Sequence, residues 1–267
     1  MSNTSLRPYT LAIKQLHNPL QMWLHDQRDQ HVSKGIAEQG NWEAYETELF
    51  IERIHPQAIV VDVGANIGYY SLIAADQLQG GGQVFAFEPD AQNFALLEKN
   101  LHENALTHVQ AVNAALSNES RSGHLFLSEN NFGDHQIYNN GENRQQQKIE
   151  LVNGGQYLHD KITRIDLLKI DTQGAEYGVV AGLMPLLKAS GQGLSIIIEF
   201  WPYGLRRAGA SAQQLLDLLT SLELPMAIID HLGHNLLPCS EEQLRGWVDM
   251  VEADLTDEGF MNILIGR

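Results

Sequence analysis

Five short apolar segments of this chain end on a carboxylate. Each has the length and the Val, Ile and Phe content of a β-strand that is buried on both faces. They are Ala58–Asp62, Gln83–Glu88, Asp166–Asp171, Ser195–Glu199 and Met226–Asp230. If these strands run parallel in one sheet, their carboxylates gather at one edge, where open α/β sheets bind ligands. The pattern therefore predicts an acidic binding edge, which suits a ligand with positive charge and free hydroxyls.

The order of the patterns predicts a main domain with an extension. Residues 58–267 alternate strands with helices, which predicts an α/β fold with a mainly parallel sheet and helices on both faces. Residues 1–57 contain no strand-like run and predict a helical extension that packs against, or covers, the main domain. Strand patterns at 123–128 and 147–152 predict a hairpin around a polar insertion at about 128–146.

The charge balance argues against nucleic acid as a partner. The chain has 33 Asp and Glu against 17 Lys and Arg, which gives a formal net charge of −16. Such an excess repels phosphate backbones unless a local basic patch offsets it. The tightest basic cluster is only Arg206-Arg207, so we expect no nucleic-acid partner.

Targeting and cysteine signals are sparse. The first ten residues lack the pattern of a signal peptide, and no apolar run has the length of a membrane span. Cys239 is the single cysteine, which excludes an intrachain disulfide and a multi-cysteine zinc site. These features predict a cytoplasmic protein with no membrane partner.

The segment from Val60 to Ser71 is the most specific local motif, because it combines a strand, a tight glycine turn and a helix start. It fails the dinucleotide fingerprint. Counted from Gly64, the second glycine position holds Asn66 and the third holds Tyr69. The second glycine of that fingerprint lets the backbone approach a pyrophosphate, so its absence disfavours NAD and FAD.

S-adenosylmethionine fits this segment better, because it lacks a phosphate but carries a sulfonium, an ammonium, a carboxylate and a ribose. We expect Gly64 to let the backbone approach its methionine part. Asp62 is expected to accept from its ammonium, and the helix N-terminus with Ser71 to favour its carboxylate. Glu88, at the end of the next strand, is expected to accept from both ribose hydroxyls. The alternative is an ordinary α/β turn with a capped strand end.

Five segments together resemble the FkbM-type methyltransferases: residues 60–71, 84–90, 113–117, 168–176 and 197–200. The resemblance covers about residues 45–230. It implies a doubly wound Rossmann-like methyltransferase sheet that is mostly parallel with an antiparallel last strand. It also implies an S-adenosylmethionine-dependent O-methyltransferase that acts on a sugar, a glycan or a secondary metabolite.

The resemblance also indicates a cofactor site. With the motif around it, this site comprises Asp62, Gly64, Asn66, Gly68, Tyr69, Ser71, Glu88, Pro89, Ala114 and Ala115. Two departures from the family concern the acceptor more than the cofactor. The segment before Lys169-Ile-Asp171 is shorter than usual, and the first 45 residues match no part of the family.

The acceptor side has weaker signals. A hydroxyl that accepts a methyl group must lose its proton to a base or to a metal ion. Asp171, at the end of its strand, is the leading candidate for the base, with a helix cap as the alternative role. His231 is a second candidate base. Asp171 and Glu199 form a candidate Mg²⁺ site, since oxygen ligands at neighbouring strand ends suit that ion.

Three functions remain open on the sequence alone. The first is methyl transfer to a hydroxyl of a small molecule or glycan. The second is N-methylation of an amine or peptide, which needs no strong base. The third is a cofactor-binding module without catalysis. The sequence carries no signal for oligomeric state.

Overall fold

The centre of the fold is an eight-stranded mixed sheet. The structure is a computed structural model that describes residues 5–139, 141 and 143–267. In spatial order, the strands are β12 (Asn235–Cys239), β11 (Met226–Asp230), β13 (Met261–Gly266), β10 (Ser195–Phe200), β9 (Leu167–Ile170), β3 (Ile59–Val63), β4 (Gln83–Phe87) and β5 (Val109–Val112). From β10 to β5 every neighbouring pair is parallel. The last strand, β13, lies antiparallel between β10 and β11, so the prediction of the fold class is confirmed.

Helices cover both faces of the sheet. They are α1 (Val32–Gln39), α2 (Ala44–Glu52), α3 (Tyr69–Leu78), α4 (Ala91–Glu103), α5 (Gly154–Leu158), α6 (Glu176–Ser190), α7 (Pro202–Arg207), α8 (Ala212–Thr220) and α9 (Glu241–Glu252), with a 3-10 turn at Gly191–Gly193. One core contains apolar side chains of α5, α6, α8 and α9, and a second contains those of α1 to α4. Burial of these two apolar layers on opposite sides of one sheet stabilises the doubly wound arrangement.

Strand register brings the predicted carboxylates to one edge. Val63 at the end of β3 pairs with both Phe87 of β4 and Ile170 of β9. Ile170 in turn pairs with Ile198 of β10. The residues that follow these pairs are therefore neighbours at the carboxyl edge of the sheet.

A second, three-stranded sheet surrounds the polar insertion. Its strands, in the order β6-β8-β7, are β6 (Ala115–Ser117), β8 (Gln145–Asn153) and β7 (Arg121–Leu127). β7 and β8 form the antiparallel hairpin that the sequence predicts. Residues 140 and 142 of the insertion lie outside the described residues.

Over residues 5–57 the N-terminal extension is helical only in its second part, and the prediction of helices is wrong for residues 5–31, while residues 1–4 lie outside the described residues. Residues 5–31 contain instead the two-residue strands β1 (Tyr9–Thr10) and β2 (Gln21–Met22), which pair antiparallel. Side chains of α3, α4 and the residue after α4 satisfy the backbone there: Asp76 accepts from His17 and Asn18, Asn100 from Trp23, and Asn104 from Gln21. Because these bonds replace helical ones, the segment stays extended on the main domain.

Among the described residues, we find no helix that combines the length and the apolar character required to cross a membrane.

Candidate active site

Two connected hollows open at the carboxyl edge of the sheet. The main cavity, of about 660 Å³, has the carboxylates of Glu43, Asp62, Asp134, Asp171, Glu199 and Glu258 in its lining. The side pocket is smaller and is lined by Phe87, Glu88, Leu116, Leu125 and Phe132 among others. Gly64, Asn66 and Asp171 line both. The side pocket, of about 50 Å³, therefore adjoins the main cavity at these residues.

Gly64 is required by the protein's own packing. Its φ is +81°, in the region where side chains other than hydrogen are strained. A Cβ there would overlap the carbonyl oxygen of Asp171. The glycine therefore admits the backbone that follows β9. It also lines both hollows, where the approach of a ligand stays a prediction. Gly68, also at positive φ, directly precedes α3, and a Cβ there would meet the side chain of Leu97.

Asp62 lies in the wall of the main cavity and is held by Ser71. The Ser71 hydroxyl donates to Asp62 Oδ2 at 2.6 Å. Ser71 is fully buried and is not part of the lining, so it positions Asp62 instead of facing a ligand carboxylate. Burial raises the pKa of Asp62 to about 6, although the Ser71 hydrogen bond opposes the shift. A cationic ligand group beside Asp62 would favour its ionised form.

Glu88 lies in the side pocket and is tied to the turn. Its carboxylate accepts from the backbone N–H of Asn66 and of Asp90, both at 2.8 Å. Burial raises the pKa of Glu88 to about 8. The Oδ1 atom of Asn66 is buried and has no hydrogen-bond partner among the described residues. Glu88 therefore adds a buried carboxyl group to the side pocket, and Asn66, whose amide oxygen is unpaired among the described residues, lines both hollows.

The other predicted cofactor residues are distributed around these two. Pro89 and Ala115 line the side pocket. Ala114, which precedes Ala115, is buried but does not line the side pocket. Tyr69 lines the main cavity, where its hydroxyl accepts from the backbone N–H of Trp42 at 3.0 Å. The N-terminal extension is thereby attached to the predicted cofactor turn.

Asp171 and Glu199 are brought together, but not as a metal site. The side-chain amide of Gln173 donates to Asp171 Oδ1 at 2.8 Å and to Glu199 Oε2 at 2.9 Å. This N–H₂ group occupies the place between the carboxylates that a cation would need, and no cluster of three metal-ligating side chains is found in the part of the chain that the structure describes. The residues present do not fit Mg²⁺. Burial and the charge of Asp171 raise the pKa of Glu199 well above its usual value.

His231 does not join this group. It follows β11, which is separated from β10 by β13, and it is not part of the lining of the main cavity. Its Nε2 lies 3.8 Å from Glu46 and 3.3 Å from the side-chain nitrogen of Asn262. The structure therefore separates His231 from the carboxylates at the ends of β9 and β10.

A buried charged cluster adjoins Asp171, and the sequence analysis missed it. Lys169 Nζ lies 3.0 Å from Glu46 Oε1 and 3.7 Å from Asp171 Oδ2. The Tyr70 hydroxyl lies within hydrogen-bond distance of two acceptors, Glu43 Oε2 at 3.1 Å and Glu46 Oε1 at 3.2 Å. Burial, followed by repulsion from Glu46, raises the pKa of Glu43 to about 8. A signal for this cluster was present in the sequence: Glu46 shares an apolar helix face with Leu49 and Phe50.

Aromatic side chains form the outer wall of the main cavity. Trp201 and Tyr203 lie 5.6 Å apart between ring centroids, and Phe260 is 61% exposed beside the same cavity. Tyr138, from the polar insertion, is almost fully buried, and its hydroxyl has no partner among the described residues. This side of the site can therefore contact the face of a ring and donate to an oxygen.

Comparisons with known proteins show similarity to methyltransferases. A family model described as "Methyltransferase FkbM domain" matches residues 62–222. "Methyltransferase 1" of Beauveria bassiana (strain ARSEF 2860) is 25% identical over an alignment of 162 residues, and the match covers 51% of this chain and 65% of that protein. The chain thus spans about two thirds of the length of this relative.

Solved structures with a similar fold have low sequence identity. Methyltransferase FkbM from Methylobacillus flagellatus KT is 13% identical with a TM-score of 0.47, and the match covers 83% of this chain and 51% of that one. A TehB-like SAM-dependent methyltransferase from Corynebacterium glutamicum ATCC 13032 Kitasato is 14% identical with a TM-score of 0.46, and the match covers 88% and 93% respectively.

Proposed function

Because the chain belongs to the FkbM methyltransferase family, we propose that it is an S-adenosylmethionine-dependent methyltransferase that methylates a hydroxyl of a sugar, a glycan or a secondary metabolite. The observation that carries the proposal is the position of Asp171. Its carboxylate is about one third exposed, borders both hollows, and is oriented by Gln173. A base in this position can reach an acceptor in the main cavity while a cofactor extends from the side pocket.

The residues present fit the proposed cofactor. Glu88 and the unpaired oxygen of Asn66 suit hydroxyl donors such as those of a ribose. Asp62 suits an ammonium group, and the apolar lining of the side pocket suits a purine ring. When bound, the cofactor would supply an electrophilic methyl group on sulfur.

The chain's own contribution is to orient the acceptor and remove its proton. Alignment of the acceptor oxygen with the methyl group supplies most of the rate in such a displacement. In such a displacement, the Asp171 carboxylate would take the proton of the acceptor hydroxyl. Tyr138 and the aromatic wall at Trp201 and Tyr203 would hold a hydroxylated ring in place.

One observation favours N-methylation as a second candidate. Carboxylates outnumber cationic side chains in the lining of the main cavity, and such a surface attracts an ammonium group. Phosphorylated acceptors and nucleic acids are disfavoured by the same charge.

An acceptor screen tests the proposed function. The protein is incubated with S-adenosylmethionine and matched panels of glycosides, polyols and amines, and release of S-adenosylhomocysteine is measured with the mass of the product. We expect turnover on hydroxylated acceptors. Turnover on amines alone would replace O-methylation by N-methylation.

Calorimetry provides the control for the class of protein. We expect S-adenosylhomocysteine to bind with micromolar affinity and NADH not to bind. Binding without turnover on any acceptor would indicate a non-catalytic module.

Because Gln173 lies between Asp171 and Glu199, we also expect EDTA to leave turnover unchanged. A loss of activity in EDTA that Mg²⁺ restores would contradict this expectation.

A further inference from the structure

Lys169 is an unusual residue for its position. It lies in the middle of β9, between Leu168 and Ile170, and its side chain is 2% exposed. Alternation along the strand places Lys169 and Asp171 on the same face. The ammonium group therefore lies beside the proposed base, at the wall of the main cavity.

The partner of Lys169 comes from the N-terminal extension. Glu46 of α2 is fully buried and places Oε1 3.0 Å from Lys169 Nζ. Its other carboxylate oxygen accepts from the side chain of Asn262 in β13 at 2.5 Å. Burial raises the pKa of Glu46, but Lys169 outweighs that effect and the net pKa is lower than usual. The Glu46 carboxylate is therefore an anion that anchors the lysine.

Stability does not explain this ion pair. Removing two charges from water costs more than many buried pairs recover, and apolar side chains of similar volume often replace such pairs without loss. The pair has one consequence that apolar side chains would lack, which is a positive charge 3.7 Å from Asp171. The other carboxyl groups that interact electrostatically with Asp171 are those of Glu43, Asp62, Glu176 and Glu199.

We propose that the buried Glu46–Lys169 ion pair positions the Asp171 carboxylate, so that the N-terminal extension is part of the catalytic apparatus. Lys169 and Glu46 are positioning residues, since they act on the acceptor through Asp171. The inference rests on the proposed function of Asp171 as the base. It gives Glu46, which lies outside the family match that begins at residue 62, an effect on the reaction through Lys169 and Asp171.

A double replacement separates this role from a structural one. In Lys169→Met, Glu46 is left buried without its partner, and we expect the melting temperature to fall by about 10 °C. In the double variant Glu46→Met/Lys169→Met, we expect the melting temperature to recover most of that loss. We expect kcat of the double variant to stay at least about tenfold below that of the wild type, with unchanged affinity for S-adenosylhomocysteine. We measure kcat of both proteins across the pH range in which they are folded.

A folded double variant with wild-type kcat across the pH range would overturn the proposal. Glu46→Gln is the second variant, since it keeps the shape of the side chain if the double variant fails to fold. We expect it to lower kcat with unchanged KM, and wild-type kcat would again count against the ion pair. Glu48→Gln, on the exposed side of the same helix, is the matched control and should match the wild type.

The proposed function and this inference fail in different measurements. The acceptor class that the wild type methylates tests the proposed function. The ratio of variant to wild-type kcat tests the ion pair, and it can be measured on whichever acceptor the wild type uses.

Discussion

The side pocket and the main cavity share Gly64 and Asp171 but are built in different ways. In the side pocket, the carboxyl group of Glu88 follows β4 and is held by the backbone N–H groups of Asn66 and Asp90, while β6, β7 and the polar insertion complete the lining. The main cavity takes its lining from the extension, the polar insertion and the residues after β10. The difference shows that a functional side chain held by nearby backbone groups can be predicted from a local sequence motif. A cavity whose lining comes from distant parts of the chain cannot be predicted in this way.

The largest expected effect comes from the residue that joins the two hollows. In Gly64→Ala, the added Cβ would overlap the carbonyl oxygen of Asp171 at a φ of +81°. We expect a loss of about 4 kcal/mol or more in the free energy of unfolding, measured by urea denaturation, with loss of S-adenosylhomocysteine binding. Gly209→Ala is the control, because Gly209 also has a positive φ but nothing within 4 Å of the added atom. It should cost only about 1–2 kcal/mol, and equal losses in both variants would contradict the packing role.

Two variants, one in each hollow, test whether the side pocket binds the cofactor and the main cavity carries out the reaction. Glu88→Ala should weaken binding of S-adenosylhomocysteine by about tenfold to a hundredfold, because it removes an acceptor from the side pocket. Asp171→Asn should leave that affinity within about threefold but lower kcat by about 100-fold or more. Calorimetry and steady-state kinetics measure the two effects. An Asp171→Asn variant with normal turnover would contradict the assigned role.

Both hollows contain a carboxyl group whose pKa is about 8, Glu88 in the side pocket and Glu43 in the main cavity. A carboxyl with a raised pKa in the folded state contributes stability that is present below its unfolded value of about 4.5 and is lost as pH rises through about 8. We expect wild-type stability without cofactor to decline across that window, and Glu88→Gln to remove about 5 kcal/mol of the decline. Denaturant unfolding at a series of pH values measures it. A decline that Glu88→Gln leaves unaltered would show that burial does not raise this pKa.

The smallest effect concerns the support of Asp62. Ser71→Ala removes the hydrogen bond at 2.6 Å, and we expect a loss of about 1–2 kcal/mol in stability and a few-fold weaker cofactor binding. Ser195→Ala is the matched control. Ser195 is buried and donates a hydrogen bond to Arg267, but it begins β10 at the opposite edge of the sheet. Ser195→Ala should lose comparable stability and keep its affinity for the cofactor. An equal loss of cofactor affinity in Ser71→Ala and Ser195→Ala would show that Ser71 has no specific role in binding.

Several site predictions were limited by what a local pattern contains. The turn from Asp62 to Gly68 is recognisable because its residues are consecutive in one strand-turn-helix motif, although Gly64 and Gly68 pack against the distant Asp171 and Leu97. His231 was favoured as a base by its place after an apolar run, but strand order decides distance, and β13 separates β11 from β10. Residues 5–31 were expected to be helical, and that prediction failed because their backbone bonds to side chains of α3 and α4. Those side chains lie far along the chain, so no local pattern reveals the bonds.

The sequence by itself determined the alternation of strands and helices, the carboxylates at the strand ends and the family, because each depends on neighbours within a few residues or on a local motif. Only the tertiary structure decided which carboxylates meet. Gln173 joins Asp171 to Glu199, and Lys169 joins Asp171 to Glu46 of the extension. The physical reason is that these contacts depend on strand order, register and the docking of α2, and the energies that select them come from burying the whole core.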